Sequence, residues 1–93
     1  MVNINAEVLK VFHVRPAGKG PNAGEHRLQI VKYTGKYNLV SLEFKNFYKH
    51  RSTGELLPGK NKGMMLEELK VIEDNWDEIV SIMEMAESSL PRP

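Results

Sequence analysis

Leu69, Ile72, Trp76, Ile79, Met83 and Ala86 follow one another at steps of 3, 4, 3, 4 and 3 residues. Residues three and four apart lie above one another on an α-helix, so this rhythm draws a single apolar stripe. It predicts one helix from about Leu66 to Ser88, with Val71, Val80 and Ile82 widening the stripe. A seam of this coiled-coil type has to be covered, either by the rest of the chain or by a second copy. Glu67, Glu68, Glu73, Asp74, Asp77 and Glu78 crowd its first turns. The earliest of them suit the positive end of the helix dipole. Pro91 stops any helix, and residues 89–93 read as a frayed tail.

The preceding residues follow a different period. Residues 4–15, "INAEVLKVFHVR", are rich in β-formers, with apolar groups on both alternating sets. "PAGKGPNAGE" is a loop. In "HRLQIVKY", His26, Leu28, Ile30 and Lys32 alternate with Arg27, Gln29, Val31 and Tyr33. "TGK" is a short turn in which Gly35 is free to take a positive φ. In "YNLVSLEFKNFYK", Asn38, Val40, Leu42 and Phe44 oppose Tyr37, Leu39, Ser41 and Glu43, and the alternation blurs at "KNF", where a bulge or bend fits. "HRSTG" turns the chain into a fourth, interrupted strand, "ELLPGKNKGMML", whose Pro58 belongs at an edge or a bulge.

The expected fold is therefore α+β: a four-stranded antiparallel sheet followed by one long C-terminal helix, with residues 1–88 as a single domain. One helix covers only part of such a sheet. A homodimer sharing its helices through Leu69, Ile72, Trp76, Ile79, Val80 and Met83 follows, with Trp76 read as core.

Net charge is +1, but its distribution is uneven. Residues 8–63 hold 11 Lys/Arg against 3 Asp/Glu, and residues 64–93 hold 2 against 8. A basic surface for a polyanion, with an acidic element turned elsewhere, is the expectation. The absence of cysteine excludes disulfides and thiol catalysis. No apolar run approaches the roughly 18 residues of a bilayer span, and the start lacks a signal-peptide pattern. These features suggest an intracellular protein, cytoplasmic in a bacterium or an infected cell, nuclear in a eukaryote. His13, His26 and His50 lack metal-ligand spacing, and the helix carboxylates read as a solvated face. No Gly-Lys pair has the P-loop context. Neither an enzyme, a cofactor nor a metal is expected.

What remains is an interleaving of rings and cations. "KYTGKY" supplies Lys32, Tyr33, Lys36 and Tyr37; "FKNFYKHR" supplies Phe44, Lys45, Phe47, Tyr48, Lys49 and Arg51; "PGKNKG" supplies Lys60 and Lys62. Single-stranded nucleic acid needs both chemistries, cations for phosphates and flat apolar faces for unstacked bases. Phe44 falls on the apolar face of its strand and reads as core. Tyr33 and Tyr48 are the better exposed rings, and Phe47 is open to either reading. Arg15, Lys19 and Arg27 could extend the surface.

The order "YTGKY", then "FYKHRSTGELLPGKNKGMML", then a helix resembles the single-stranded-DNA-binding domain of the transcriptional coactivator positive cofactor four and its small bacterial and viral relatives. The resemblance spans about residues 26–85. It implies a curved ββββα subunit that dimerises through its helices and holds single strands or melted duplex in sheet grooves, largely independently of sequence. Carried over by position, Tyr33 would stack, Lys36, Lys60 and Lys62 would meet phosphates, and Phe47 and Tyr48 would stand at the aromatic pair. The longer first loop and the helix start "LEEL", without an Asn or Ser cap, depart from that pattern and favour a bacterial or phage protein of replication or recombination, or a distant relative with another role. Two other readings are an adaptor using the acidic helix and an RNA-binding variant of the same surface.

Overall fold

The computed structural model describes residues 3–91. It contains strands β1 (Ile4–Pro16), β2 (Glu25–Gly35), β3 (Leu39–Lys49) and β4 (Leu56–Asn61), then helices α1 (Leu66–Asp74) and α2 (Trp76–Ser88). The strands form one sheet in the order β1-β2-β3-β4, each antiparallel to its chain neighbour. The expected α+β architecture is met.

The blurred alternation of β1 has a physical cause. Val8 pairs with Val31 but Lys10 with Ile30, and Val11 pairs with Gln29 but His13 with Leu28, so Leu9 and Phe12 are extra residues in two bulges. At a bulge two successive residues oppose a single partner. Leu9 and Phe12 pack into the core, while their neighbours Lys10 and His13 reach Glu78 and Glu67 on the helices.

The core lies between one sheet face and α2. Ile30, Val40 and Ile79 are its buried centre, with Leu42, Ile72, Ile82, Met83, Ala86 and Leu90 packed against them. Leu28 and Phe44 are buried on the same alternating sets of β2 and β3. Each such side chain contributes about 1.5–3 kcal/mol by leaving water.

The single long helix is not what forms. Asn75 leaves helical geometry at φ −116° and ψ 17°. Its Nδ2 donates to the Val71 carbonyl at 2.8 Å, and its own carbonyl accepts from Ile79 N at 2.9 Å. A short amide side chain that bonds the backbone competes with the helix ladder, and here it separates α1 from α2. The stripe is divided as a result. Ile72, Ile79, Met83 and Ala86 meet the sheet side, whereas Leu69 is 53% and Trp76 57% exposed. Trp76 is thus a surface residue of the chain, not part of its core, because the sheet packs against the Ile79–Ile82–Ala86 side of α2.

α1 has no Ser or Asn cap. Met65 occupies the N-cap position, and its backbone N–H donates to Glu68 Oε1 at 2.8 Å, the backward half of a capping box. Beyond α2 the chain is not frayed at once: Leu90 packs on the core and Ser89 Oγ accepts from Lys32 Nζ at 2.7 Å. Arg92 and Pro93 lie outside the described residues.

With helices on one face only, the molecule is flat, 45 × 39 × 17 Å. Its radius of gyration is 14.6 Å, against about 12.3 Å for a compact chain of this length. It exposes 6693 Å², roughly 1,200 Å² more than the about 5,500 Å² usual for its mass.

Gly35 closes one end of the sheet at φ +97°, and an added Cβ would lie 1.9 Å from the Asn3 carbonyl oxygen. Gly54 has φ +72° but open space around it. Gly54→Ala is expected to cost about 1 kcal/mol from backbone conformation alone. Gly35→Ala should cost clearly more, because backbone must also move. Chemical denaturation of the two variants side by side checks the order.

Candidate nucleic-acid interface

The sheet face away from the helices carries the other alternating set. β1 contributes Ile4, Ala6, Val8, Val11 and Val14, paired with or beside Gly35, Tyr33, Val31, Gln29 and Arg27 of β2. β3 adds Ser41, Glu43, Lys45 and Phe47 opposite Val31, Gln29, Arg27 and Glu25. A cleft of about 360 Å³ opens here, lined by Ala6, Val8, Gln29, Val31, Tyr33, Lys45, Phe47 and Pro58. Gln29 is buried on this face, and its Oε1 has no hydrogen-bond donor among the described residues.

Arg27 and Lys45 stand directly opposite each other. Like charges in that position repel, and the two side chains part. Arg27 Nε donates to Glu25 Oε2 at 2.5 Å, and its guanidinium carbon sits 4.3 Å from the Phe47 ring centroid. Lys45 Nζ lies 3.3 Å from Glu43 Oε1 and 3.3 Å from the Tyr33 hydroxyl, which donates to Glu43 Oε2 at 2.5 Å. The middle of the face is therefore close to neutral, and its rings are engaged. Phe47 is only 7% exposed beneath Arg27. Tyr48, one residue on, points to the other side of β3 and is 47% exposed. Of the aromatic pair, Tyr48 offers the free ring.

Burial raises the Tyr33 phenol above its ordinary pKa, and the hydrogen bond to Glu43 raises it further against the opposing pull of Lys45. Lys45 is also raised: burial pulls it down, but the bonds to Tyr33 and Glu43 outweigh that. Both folded-state values exceed the unfolded ones. Their contribution to stability is complete below the unfolded pKa of about 10 and is lost as pH rises through the folded values. Tyr33→Phe is expected to remove the tyrosine part of that loss. Denaturation midpoints at about pH 8 and about pH 11, with tyrosinate absorbance followed in parallel, test it.

The cations without an ion pair or hydrogen bond among the described residues, apart from Lys70 on α1, are Lys19, Lys36, Arg51, Lys60 and Lys62, all exposed. Lys36 lies 5.5 Å from the exposed Tyr37 ring in the β2–β3 turn. Arg51 lines a polar hollow of about 350 Å³ with Asn22, Lys49, His50 and Gly54. Lys49 ties this end to the first loop by donating to the Pro21 carbonyl at 2.5 Å. Lys60 lies in a bulge of β4. Lys45 pairs with Asn61 but Phe47 with Pro58, so Gly59 and Lys60 together oppose the single residue Asn46. The irregularity expected at "KNF" is present, with its one additional residue on β4. Lys62 follows, its N–H bonded to the Phe44 carbonyl at 2.7 Å.

Two expected binding residues lie elsewhere. Lys32 faces α2 and holds Ser89. Arg15 faces α1, where its Nη2 is 3.3 Å from Glu68 Oε1 and its guanidinium carbon 5.4 Å from the Phe44 ring. The acidic helix is not simply a solvated face: Glu67, Glu68 and Glu78 contact His13, Arg15 and Lys10 of β1. Part of the charge asymmetry is thus internal attraction. No local spacing in the sequence signals the meeting of His13 with Glu67 and Glu68, because 54 residues separate His13 from Glu67.

Comparisons with protein-family models, with curated proteins and with solved structures find no match to this chain. No helix among the described residues is long and apolar enough to cross a membrane.

Proposed function

We propose that this chain binds single-stranded DNA with little regard to sequence, without catalysis, and as a homodimer serving replication, recombination or transcription. One observation carries the reading. The uncommitted cations of the strand region, Lys19, Lys36, Arg51, Lys60 and Lys62, lie at the ends and the β4 edge of a sheet whose far face is uncovered and bears an apolar cleft. Free cations meet phosphates, and apolar or aromatic surface meets unstacked bases. Tyr37 and Tyr48 stand exposed beside Lys36 and Lys49. Duplex DNA offers rings little to stack on unless it is kinked. The dimer is supported by the excess exposed surface and by Leu66 and Leu69 of α1 and Trp76 of α2, which are apolar and exposed.

The test is a fluorescence titration with a labelled oligomer of about 20 nucleotides at low and high salt, with RNA and duplex as competitors. Micromolar or tighter binding that weakens steeply with salt is expected, with duplex competing poorly. RNA competing better than DNA would reassign the surface to RNA. No binding at low salt refutes the reading.

Exposed Trp76 and Leu69, beside the carboxylates Glu73 and Asp77, favour a second reading, an adaptor whose helices meet a basic protein. A stable partner lost with Trp76→Ala but kept with Lys36→Glu and Lys62→Glu would support it.

A further inference from the structure

The second bulge of β1 does more than seat Phe12. By putting two successive residues on the helix side, it delivers His13 to the first turn of α1. His13 Nε2 lies 2.5 Å from Glu67 Oε2 and 3.9 Å from Glu68 Oε2. One ligand-type atom from each of the three residues falls within 4.8 Å of the others. Neighbouring ligands on an ion with bonds of about 2.0–2.2 Å stand roughly 3.3 Å apart. The observed separations straddle that value, and Glu67, which is exposed, can move to adjust them.

Glu68 supplies the independent observation. Its side chain is 0% exposed. One oxygen is occupied: Oε1 accepts from Met65 N at 2.8 Å and from Arg15 Nη2 at 3.3 Å. The other, Oε2, has no hydrogen-bond partner among the described residues and lies 3.9 Å from His13 Nε2. A buried carboxylate oxygen without a donor is costly. Arg15 sits on the opposite oxygen and does not relieve it. Two carboxylates and one guanidinium leave the cluster with a net charge of −1 when His13 is neutral, which favours a cation despite the positive end of α1.

We propose that His13, Glu67 and Glu68 form a site for a divalent transition-metal ion, of which Zn²⁺ is the type, clamping α1 to β1. An imidazole with two carboxylates suits Zn²⁺ or Mn²⁺, whereas Mg²⁺ and Ca²⁺ prefer oxygen alone. The ion takes the place of the His13–Glu67 hydrogen bond and satisfies Glu68 Oε2. The site lies on the helix side of the sheet, so it is independent of the nucleic-acid reading.

Calorimetric titration of the full chain with ZnCl₂, without DNA, tests it, alongside thermal unfolding and the imidazole ¹⁵N signals of His13. The expected result is one ion per chain with a dissociation constant on the order of 10⁻⁶ M or lower. Thermal stability should rise, and the His13 Nε2 resonance should shift. His13→Asn and Glu67→Gln should each weaken binding at least about tenfold. Glu68→Gln retains an acceptor for Met65 N and Arg15, and should lose the ion while still folding. Three results would overturn the proposal: no heat with Zn²⁺, affinity unchanged in His13→Asn or Glu67→Gln, which would mark an ion held by His26 or His50, or Mg²⁺ binding as tightly as Zn²⁺.

Discussion

Replacing Lys60 and Lys62 together by alanine is expected to weaken single-stranded DNA binding on the order of 50-fold at about 0.05 M salt. The same change should flatten the logarithmic salt dependence by about 1.4, at about 0.7 per lost phosphate contact on a single strand. Near 1 M salt the variant and the parent should converge. Charge reversal at both positions should cost still more. Lys60 stands in the β4 bulge and Lys62 just after it, and neither is tied to another side chain among the described residues. They therefore contribute little to folding, and stability should change by no more than about 0.5 kcal/mol. Lys10→Ala is the control. Lys10 is engaged by Glu78, so its loss should leave the salt slope unchanged. Anisotropy titrations at four or more salt concentrations read all of these outcomes.

Phe44→Ala is expected to be the most damaging core substitution, at about 3–5 kcal/mol. That is a large share of the about 5–15 kcal/mol typical of a whole domain. Phe44 is 2% exposed. His26 meets it edge-on, with ring centroids 5.6 Å apart and planes at 81°. The Arg15 guanidinium lies over it on its way to Glu68. Removing the ring leaves a cavity and also unseats Arg15, so the hold of β1 on α1 should loosen. Phe47→Ala, three residues along on the opposite face, should cost less, because its ring is buried beneath the partly exposed Arg27 side chain and lies outside the Ile30–Val40–Ile79 cluster. Urea denaturation separates the two. Equal costs would mean that the core is not on the helix side of the sheet.

The fold was legible in the sequence wherever a period was clean. The alternation of β2 and the Pro-Gly breaks placed the strands to within a few residues. β1 read as mixed because two bulges shift its phase, and the same shift hid the reach of Lys10 and His13 toward the helices. The seam reads as one continuous helix because apolar spacing does not register a side chain that bonds its own backbone, as Asn75 does. Trp76 fits the seam by spacing alone. Which side of α2 faces the sheet is decided by packing that lies outside the helical segment. At the candidate interface, residue types were legible but commitments were not. Lys32 and Arg15 look as free as Lys36 and Lys60 in a sequence. Only the folded chain shows Ser89 and Glu68 holding the first two.

The central claim is that the uncovered sheet face and its cationic rim form the binding surface. Backbone amide shifts followed by NMR during titration with a single-stranded oligomer test it most directly. The account predicts perturbations at Tyr33, Lys36, Lys45, Lys60 and Lys62, with those of Ile79, Ile82 and Ala86 unchanged. Shifts confined to α1 and α2, around Leu69 and Trp76, would contradict it.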